Sequence, residues 1–383
     1  MASNLVFYIA LPLVAIAFCD LRIPKVLLRM VLPLILILCI SVILSFVAND
    51  QDLRDYLKGS YYLLQPIILI FFGAVISQDT QFYRKFLSLS YSIFTIASIF
   101  SALNSMYLLV SGVDPLDIKY ESYFYSSLPL VVMLLHYVLD ESLKSNAVKR
   151  IALFSAILAI ALSFSRTQFL VAGLFMVVAH QLNLGVRNRG KRTSGSLLIV
   201  LLVGLLVAFN VNLNDYIIKF SSSFAEIGFT GFDDVDPVGQ YRAFEMVLLF
   251  LKLQTAELFE LLFGFGLAGE VVLPVTVHDL MPAGMSIPIL HNAFGTIYLK
   301  SGLVGILLFL WFITLVFLYF KQDHSPKHTL PFNLGLASVW VGIVIVISSL
   351  VTHGIYGNRV DPFPLILLGI IVGISRVNFK KVH

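Results

Sequence analysis

Charge is scarce in this chain. Only 13% of its 383 residues are Asp, Glu, Lys or Arg, against 58% hydrophobic. A soluble domain is nearer a quarter charged and half apolar. That imbalance excludes an ordinary soluble globular domain, and because the apolar residues gather into repeated long runs it points to a polytopic helical membrane protein. The short alternating segments of a membrane β-barrel are absent. The two cysteines, Cys19 and Cys39, lie inside apolar runs, so no disulfide framework is expected. Internal repeats of 20–50 residues and low-complexity segments are also missing. No glycine-rich phosphate loop or Cys/His metal spacing occurs in the basic loops, which argues against an ATP-driven machine. The first residues, Met1-Ala2-Ser3-Asn4, carry no basic charge and no clear cleavage site follows, so the first apolar run reads as a retained span.

What is present is a series of about eleven apolar segments, near 4–19, 30–48, 60–76, 86–110, 123–139, 151–165, 167–184, 196–213, 293–320, 332–351 and 362–376. An all-α bundle of eleven to twelve spans follows. It divides into N-terminal transmembrane helices over 1–213, one large, partly helical loop over 214–292, and C-terminal transmembrane helices over 293–383. The connections sort by charge. Alternate loops hold 17 of the 26 Lys and Arg, from Arg22, Lys25 and Arg29 through to Arg376, Lys380 and Lys381; the other set holds 9, together with 17 of the 22 Asp and Glu. Basic loops stay in the cytoplasm. The N-terminus and the 214–292 loop are therefore expected outside.

The 214–292 loop is the one long segment too polar for lipid. After the acidic turn Asp233-Asp234-Val235-Asp236-Pro237, the pattern predicts a helix from Gly239 to about Leu262. It places Arg242, Glu245, Lys252 and Glu260 on one face and Phe244, Leu248, Leu251 and Leu258 largely away from it; such a helix can rest on the membrane or pack on the bundle. A break at Gly264-Phe265-Gly266 follows, and the loop closes on His291-Asn292. Asn292 is suited to cap the next helix.

Three residues stand out for chemistry. Arg166 lies between two spans with almost no loop between them, where a charge at membrane depth has a partner or a function, or snorkels to the headgroups. Arg242, opening a helix, can hold a phosphate through two parallel hydrogen bonds, or pair on the surface with Glu245. His291, just before a membrane helix, can accept a proton near physiological pH, or serve only as a polar interface residue. Lys300, two turns into the ninth span, can snorkel outward or point into a polar site. His353 and Arg359 in the last outer loop are secondary candidates. The carboxylates of Asp234 and Asp236 resemble the metal-holding pair of many sugar-nucleotide glycosyltransferases, but an acidic turn before Pro237 is ordinary turn chemistry, and no metal site is assigned.

Taken together, Ser163-Phe164-Ser165-Arg166-Thr167, Gly239-Gln240-Tyr241-Arg242, Leu262-Phe263-Gly264-Phe265-Gly266 followed by His291-Asn292, and Ser301-Gly302-Leu303-Val304-Gly305 resemble the O-antigen polymerase and O-antigen ligase superfamily of bacterial membrane glycosyltransferases. The motifs cover roughly 150–320. The resemblance implies an undecaprenyl-diphosphate-linked oligosaccharide as donor at the periplasmic face. Arg166 and Arg242 would grip the diphosphate, with Tyr241, Asn292, Lys300 and Arg359 as further substrate contacts, and His291 would activate the acceptor hydroxyl. It also implies membrane lipids and a chain-length regulator as partners, and no cofactor, metal or nucleic acid. Polymerisation of repeat units is the expected activity. Transfer to lipid A–core, transfer to a protein, and a flippase for the same lipid-linked sugar are the alternatives. Two departures are visible: Lys300 stands where many members have an acidic or small residue, and eleven spans are counted where the family often has twelve.

Overall fold

The computed structural model describes residues 25–47, 53–113, 128–138, 146–162, 168, 171–174, 241–276, 282–321, 334–351, 354–356 and 362–380. They are mostly helical. In chain order the elements are α1 (Lys25–Val47), α2 (Leu53–Ile76), α3 (Thr80–Val110), α4 (Leu128–Val138), α5 (Asn146–Leu162), α6 (Tyr241–Gln254), α7 (Leu258–Phe263), the two-residue strands β1 (Val271–Val272) and β2 (Ser286–Ile287), then α8 (Ala293–Lys321), α9 (Leu334–Val351) and α10 (Phe363–Lys380). Four of them are long and apolar enough to cross a membrane, over Lys25–Phe46, Asp55–Ile76, Arg84–Val110 and Ala293–Leu318; Ala337–Leu350 and Phe363–Ile374 are shorter apolar helices. Eight of the expected segments fall on described helices. The expected spans 4–19 and 196–213, and most of 167–184, lie outside the described residues.

α3 shows what solvent the helices are built for. Leu89, Ile93, Ile96, Phe100, Leu103, Tyr107 and Val110 are all exposed, and their alternating steps of three and four put them on one stripe. The residues buried on the other side include Ser90, Thr95, Ser98, Ser101 and Ser105. Large apolar outside and small hydroxyl inside inverts a water-soluble helix and suits one that meets lipid outward and packs closely inward. The inner hydroxyls return to their own helix: Thr95 donates to the Tyr91 carbonyl at 2.6 Å and Ser98 to Phe94 at 2.8 Å. Asp79 starts α3, its Oδ1 accepting from the amides of Gln81 and Phe82 at 2.8 and 3.2 Å. α3, α4 and α5 pack on one another and belong to one of two compact units, Asp79–Ile217 with Tyr319–Val344.

The other unit comprises Met1–Gln78, Ile218–Leu318 and Ile345–His383. It joins parts of all three sequence segments, so the 241–292 part of the loop is built into the same body as α1, α2, α8 and α10. Here α2 lies along α10 because both supply glycine at the crossing. A Cβ on Gly73 would run into the Ile366 carbonyl, and one on Gly369 into that of Ile70. Small residues let membrane helices approach until backbones touch.

The helix expected from Gly239 to Leu262 is two helices, a correction with a local cause. α6 ends at Gln254, where the Thr255 hydroxyl donates to the Lys252 carbonyl at 3.0 Å and the amides of Thr255 and Ala256 turn back three residues, to Lys252 and Leu253. A hydroxyl that competes for a backbone acceptor favours termination. Glu260 therefore belongs to a different helix from Glu245. The expected faces also change: Phe244 and Leu248 are buried, but Leu251 and Leu258 are exposed and Glu245 is buried.

Between α7 and β1 the chain turns at Gly264 and Gly266, whose φ of 85° and 80° suit only glycine. Gly264 faces Gly302 of α8, which is kinked at φ 61°; a Cβ on either would lie 2.5 Å from the backbone of the opposing segment. The turn's polar groups are met by the surrounding helices. The amides of Phe265 and Gly266 donate to the Leu299 and Lys300 carbonyls at 2.9 and 3.2 Å, and that of Leu267 donates to Ser41 O at 3.2 Å and to Ser45 Oγ at 2.6 Å.

Gly369→Leu is expected to lower the thermal midpoint of the protein in detergent, since overpacking a close crossing costs about 1–3 kcal/mol or more. Gly173→Ala, with nothing within 4 Å of the added Cβ, should leave the midpoint unchanged; equal midpoints for both variants would count against the α2–α10 crossing.

Candidate functional site

His291 and Asn292 sit at the entry to α8, and their backbone is pinned from both sides. Asn292 Oδ1 accepts from the amides of Phe294 and Gly295 at 2.9 and 3.2 Å, the expected cap, and its Nδ2 donates to the Leu350 carbonyl at 3.3 Å. On the other side Thr296 Oγ1 accepts from the Leu290 amide at 3.0 Å and donates to the Leu290 carbonyl at 3.2 Å. Leu290 itself is buried in an apolar cluster with Phe244, Leu248, Leu249, Val271, Leu273, Ile287 and Leu299. α6, the strand pair and α8 thus share one core, which sets α6 against the histidine.

That contact is made by Glu245. Its Oε2 accepts from the His291 amide at 2.7 Å, and its Oε1 lies 3.0 Å from His291 Nδ1. Glu245 is only 1% exposed, whereas the His291 side chain is 32% exposed. Tyr241, one turn earlier on α6, turns its ring edge-on to the imidazole, centroids 5.3 Å apart at 82°, and hydrogen-bonds Glu245. Three donors therefore converge on one buried carboxyl group, a pattern that an ionised carboxylate, which only accepts, can satisfy. With Nδ1–H given to Glu245, the lone pair of a neutral imidazole would lie on Nε2. A histidine held by a carboxylate at one nitrogen is of the type that takes a proton from a hydroxyl at the other.

Sequence reasoning missed Glu245 in this role, reading it as a surface partner for Arg242. The available signal was a lone carboxylate four residues after Tyr241 on a helix whose neighbouring positions 244, 248 and 249 are all apolar. Arg242 follows Tyr241 at the start of α6; its side chain, and Arg166, His353, Arg359, Asp234 and Asp236, lie outside the described residues.

Lys300 is fully buried. Its Nζ donates to the carbonyls of Leu267 and Gly269 at 2.6 and 2.5 Å. Of the two readings open for this lysine, it takes the inward one, and the polar site it reaches is the backbone of the glycine turn. The geometry thus gives Lys300 the work of holding that turn. Lys252, expected on a polar face with Arg242, instead donates to the Glu270 carbonyl at 2.5 Å and lies 4.5 Å over the Phe265 ring. Burial pulls its amine below the ordinary lysine range, against the opposing pull of Glu270 and Glu260. Glu270 Oε1 accepts from Ser286 Oγ at 2.7 Å, tying the two strands together. Among the described residues no cluster of three or more His, Cys, Asp or Glu is placed to hold a metal ion.

The fold and site thus define a helical membrane protein with a carboxylate-held histidine at the mouth of a membrane helix. Set against known protein families, characterised proteins and solved structures, the chain matches none.

Burial, then the Glu245 charge and the hydrogen bond to it, push the Tyr241 phenol well above its ordinary 10.0. The folded protein holds that proton more tightly than the unfolded chain. Its contribution to stability is complete below pH about 10 and is lost as pH rises beyond it. Thermal midpoints measured from pH about 8 to 11 should therefore fall more steeply for the native protein than for Tyr241→Phe, which starts less stable by about 1 kcal/mol for the lost bond. Parallel curves would show that the phenol is not so held.

Proposed function

We propose that the protein is a membrane glycosyltransferase that joins undecaprenyl-diphosphate-linked oligosaccharide repeats at the periplasmic face of the bacterial inner membrane. The observation that carries this reading is the Glu245–His291 pair at the start of α8, with the carboxylate buried and the imidazole part-exposed. The order of arginine and histidine motifs resembling the polymerase and ligase superfamily supplies the substrate class.

In the proposed reaction an acceptor hydroxyl on the incoming repeat gives its proton to His291 Nε2. The hydroxyl oxygen forms a bond to the anomeric carbon of the growing chain. The bond from that carbon to the diphosphate oxygen breaks, and the polyprenyl diphosphate leaves with the electron pair. Negative charge builds on the leaving oxygens, where the guanidinium groups of Arg166 and Arg242 would stabilise it; losing one such preorganised donor costs roughly 3–4 kcal/mol, or about 10²–10³ in rate. The activated donor needs neither ATP nor a sugar nucleotide. A chain-length regulator is a fitting partner for such a polymerase.

Three measurements test the reading. In a strain lacking the gene, a gel of surface and lipid-linked glycans should show lipid A–core with one repeat and no longer chains. Long chains stranded on the carrier would instead mean a ligase, and an unchanged pattern would move the acceptor elsewhere. In complemented strains, His291→Ala, Arg166→Ala and Arg242→Ala should each abolish product at near-normal membrane abundance; full activity of His291→Ala removes the proposed base. Glu245→Gln keeps the shape but offers an amide that can donate to the imidazole and favour the wrong tautomer. The analogous change in a serine-protease triad costs about 10⁴ in rate, and a loss of that order is expected in turnover, with membrane abundance retained.

A further inference from the structure

α7 has the sequence Leu258-Phe259-Glu260-Leu261-Leu262-Phe263, and none of its residues is buried in the protein. Leu258 is 72% and Phe259 54% exposed, and the Phe259 and Phe263 rings lie together at 5.1 Å. On α6, just before it, Phe250 and Leu251 are exposed too. In water such a cluster would be costly, and nothing about its local bonding requires it to be apolar: the one carboxylate within it, Glu260, accepts from the Glu257 amide at 2.9 Å as part of a capping box at the helix start.

The level at which α7 is fixed identifies what covers it. Leu262 and Gly264 abut Gly302 of α8, nine residues inside a helix that begins at Ala293. At 1.5 Å per residue this is roughly 13 Å along the helix. Two other span helices agree. The turn after α7 bonds to Ser41 and Ser45 of α1, both within the span Lys25–Phe46, and Leu267 lies against Gly59 of α2, within the span Asp55–Ile76. Irregular backbone at that depth survives only where protein satisfies it, and here the α8 carbonyls, Ser45 and Lys300 do so. Leu303, Leu307 and Leu310, on the next turns of α8 after Gly302, are exposed as well.

We propose that α7 is an interfacial membrane anchor: it lies in the acyl boundary of the leaflet on the Ala293 side, with Leu258 and Phe259 in lipid and Glu257 and Glu260 toward the headgroups. Short apolar helices with a polar edge occupy that layer, some 5–10 Å into the boundary. The lipid is the bulk bilayer, and the inference stands whether or not the protein transfers sugars. Held so, α7 fixes the height of the segment leading to His291.

The test uses the full chain in liposomes, with Cys19 and Cys39 replaced by serine and a nitroxide spin label placed at Leu258→Cys, Phe259→Cys or, as a lipid reference, Leu307→Cys. Collision rates with dissolved oxygen and with a water-soluble nickel chelate are compared. Labels at 258 and 259 should meet oxygen several-fold more often than nickel, as at 307. The reverse ratio at both positions would place α7 in water and overturn the proposal. Low collision with both reagents would also overturn it, by showing that protein covers the face.

Discussion

A chain that enters lipid must satisfy its own backbone polar groups, because no water is there to do so. In this protein the constraint is sharpest at the glycine turn between α7 and β1, where the chain is neither helix nor strand yet lies among α1, α2 and α8. Lys300 meets it. Its amine closes the carbonyls of Leu267 and Gly269, while Ser45 and the carbonyls of Leu299 and Lys300 receive the amides. An amine inside a membrane helix is costly, and so are two orphaned carbonyls, at about 1–3 kcal/mol each; placing one against the other offsets both. The turn so held directs the chain into the strand pair, and the strand pair delivers Leu290 and His291 to the head of α8.

The candidate site follows the same economy of partners. Glu245 is buried as deeply as the core residues around it, and a carboxylate in that position survives because it accepts from His291 twice and from Tyr241 once. Removing a donor leaves the charge less well satisfied in a low-dielectric surrounding, which is why such networks hold one geometry. The result for the histidine is an orientation it could not have on an exposed loop: its amide and Nδ1 are both fixed.

Much of this was legible in the apolar runs, for a definite reason. A helix that faces lipid has no choice but a long apolar stretch, so α1, α2, α3, α8, α9 and α10 all announce themselves. The Asn292 cap and the glycine break at 264–266 were legible because both depend on backbone needs that few residue types meet. The end of α6 at Thr255 was not, since it rests on one hydroxyl bond. Neither was the exposure of Leu251 and Leu258. Reading an amphipathic helix assumes water on the polar side and protein on the apolar side, and here the apolar side of α7 faces away from protein. Lys300 could be singled out as costly, but its partners are carbonyls 31 and 33 residues away, and no side-chain pattern marks a carbonyl.

The pairing of Glu245 with His291 spans 46 residues and depends on the core that brings α6 against α8. That core also limits how the site can be altered. A Cβ on Gly295 would meet Met246 Sδ at 2.9 Å and Leu290 Cδ1 at 3.0 Å, so α6 has little room to shift along α8 without moving Leu290, and with it the histidine. The carboxylate therefore acts over a short lever. Its helix is locked by apolar packing on one side of the imidazole, and the Asn292 cap locks the other side. The imidazole is placed by the fold of the loop as a whole, and the buried polar bonds are what make that placement unique.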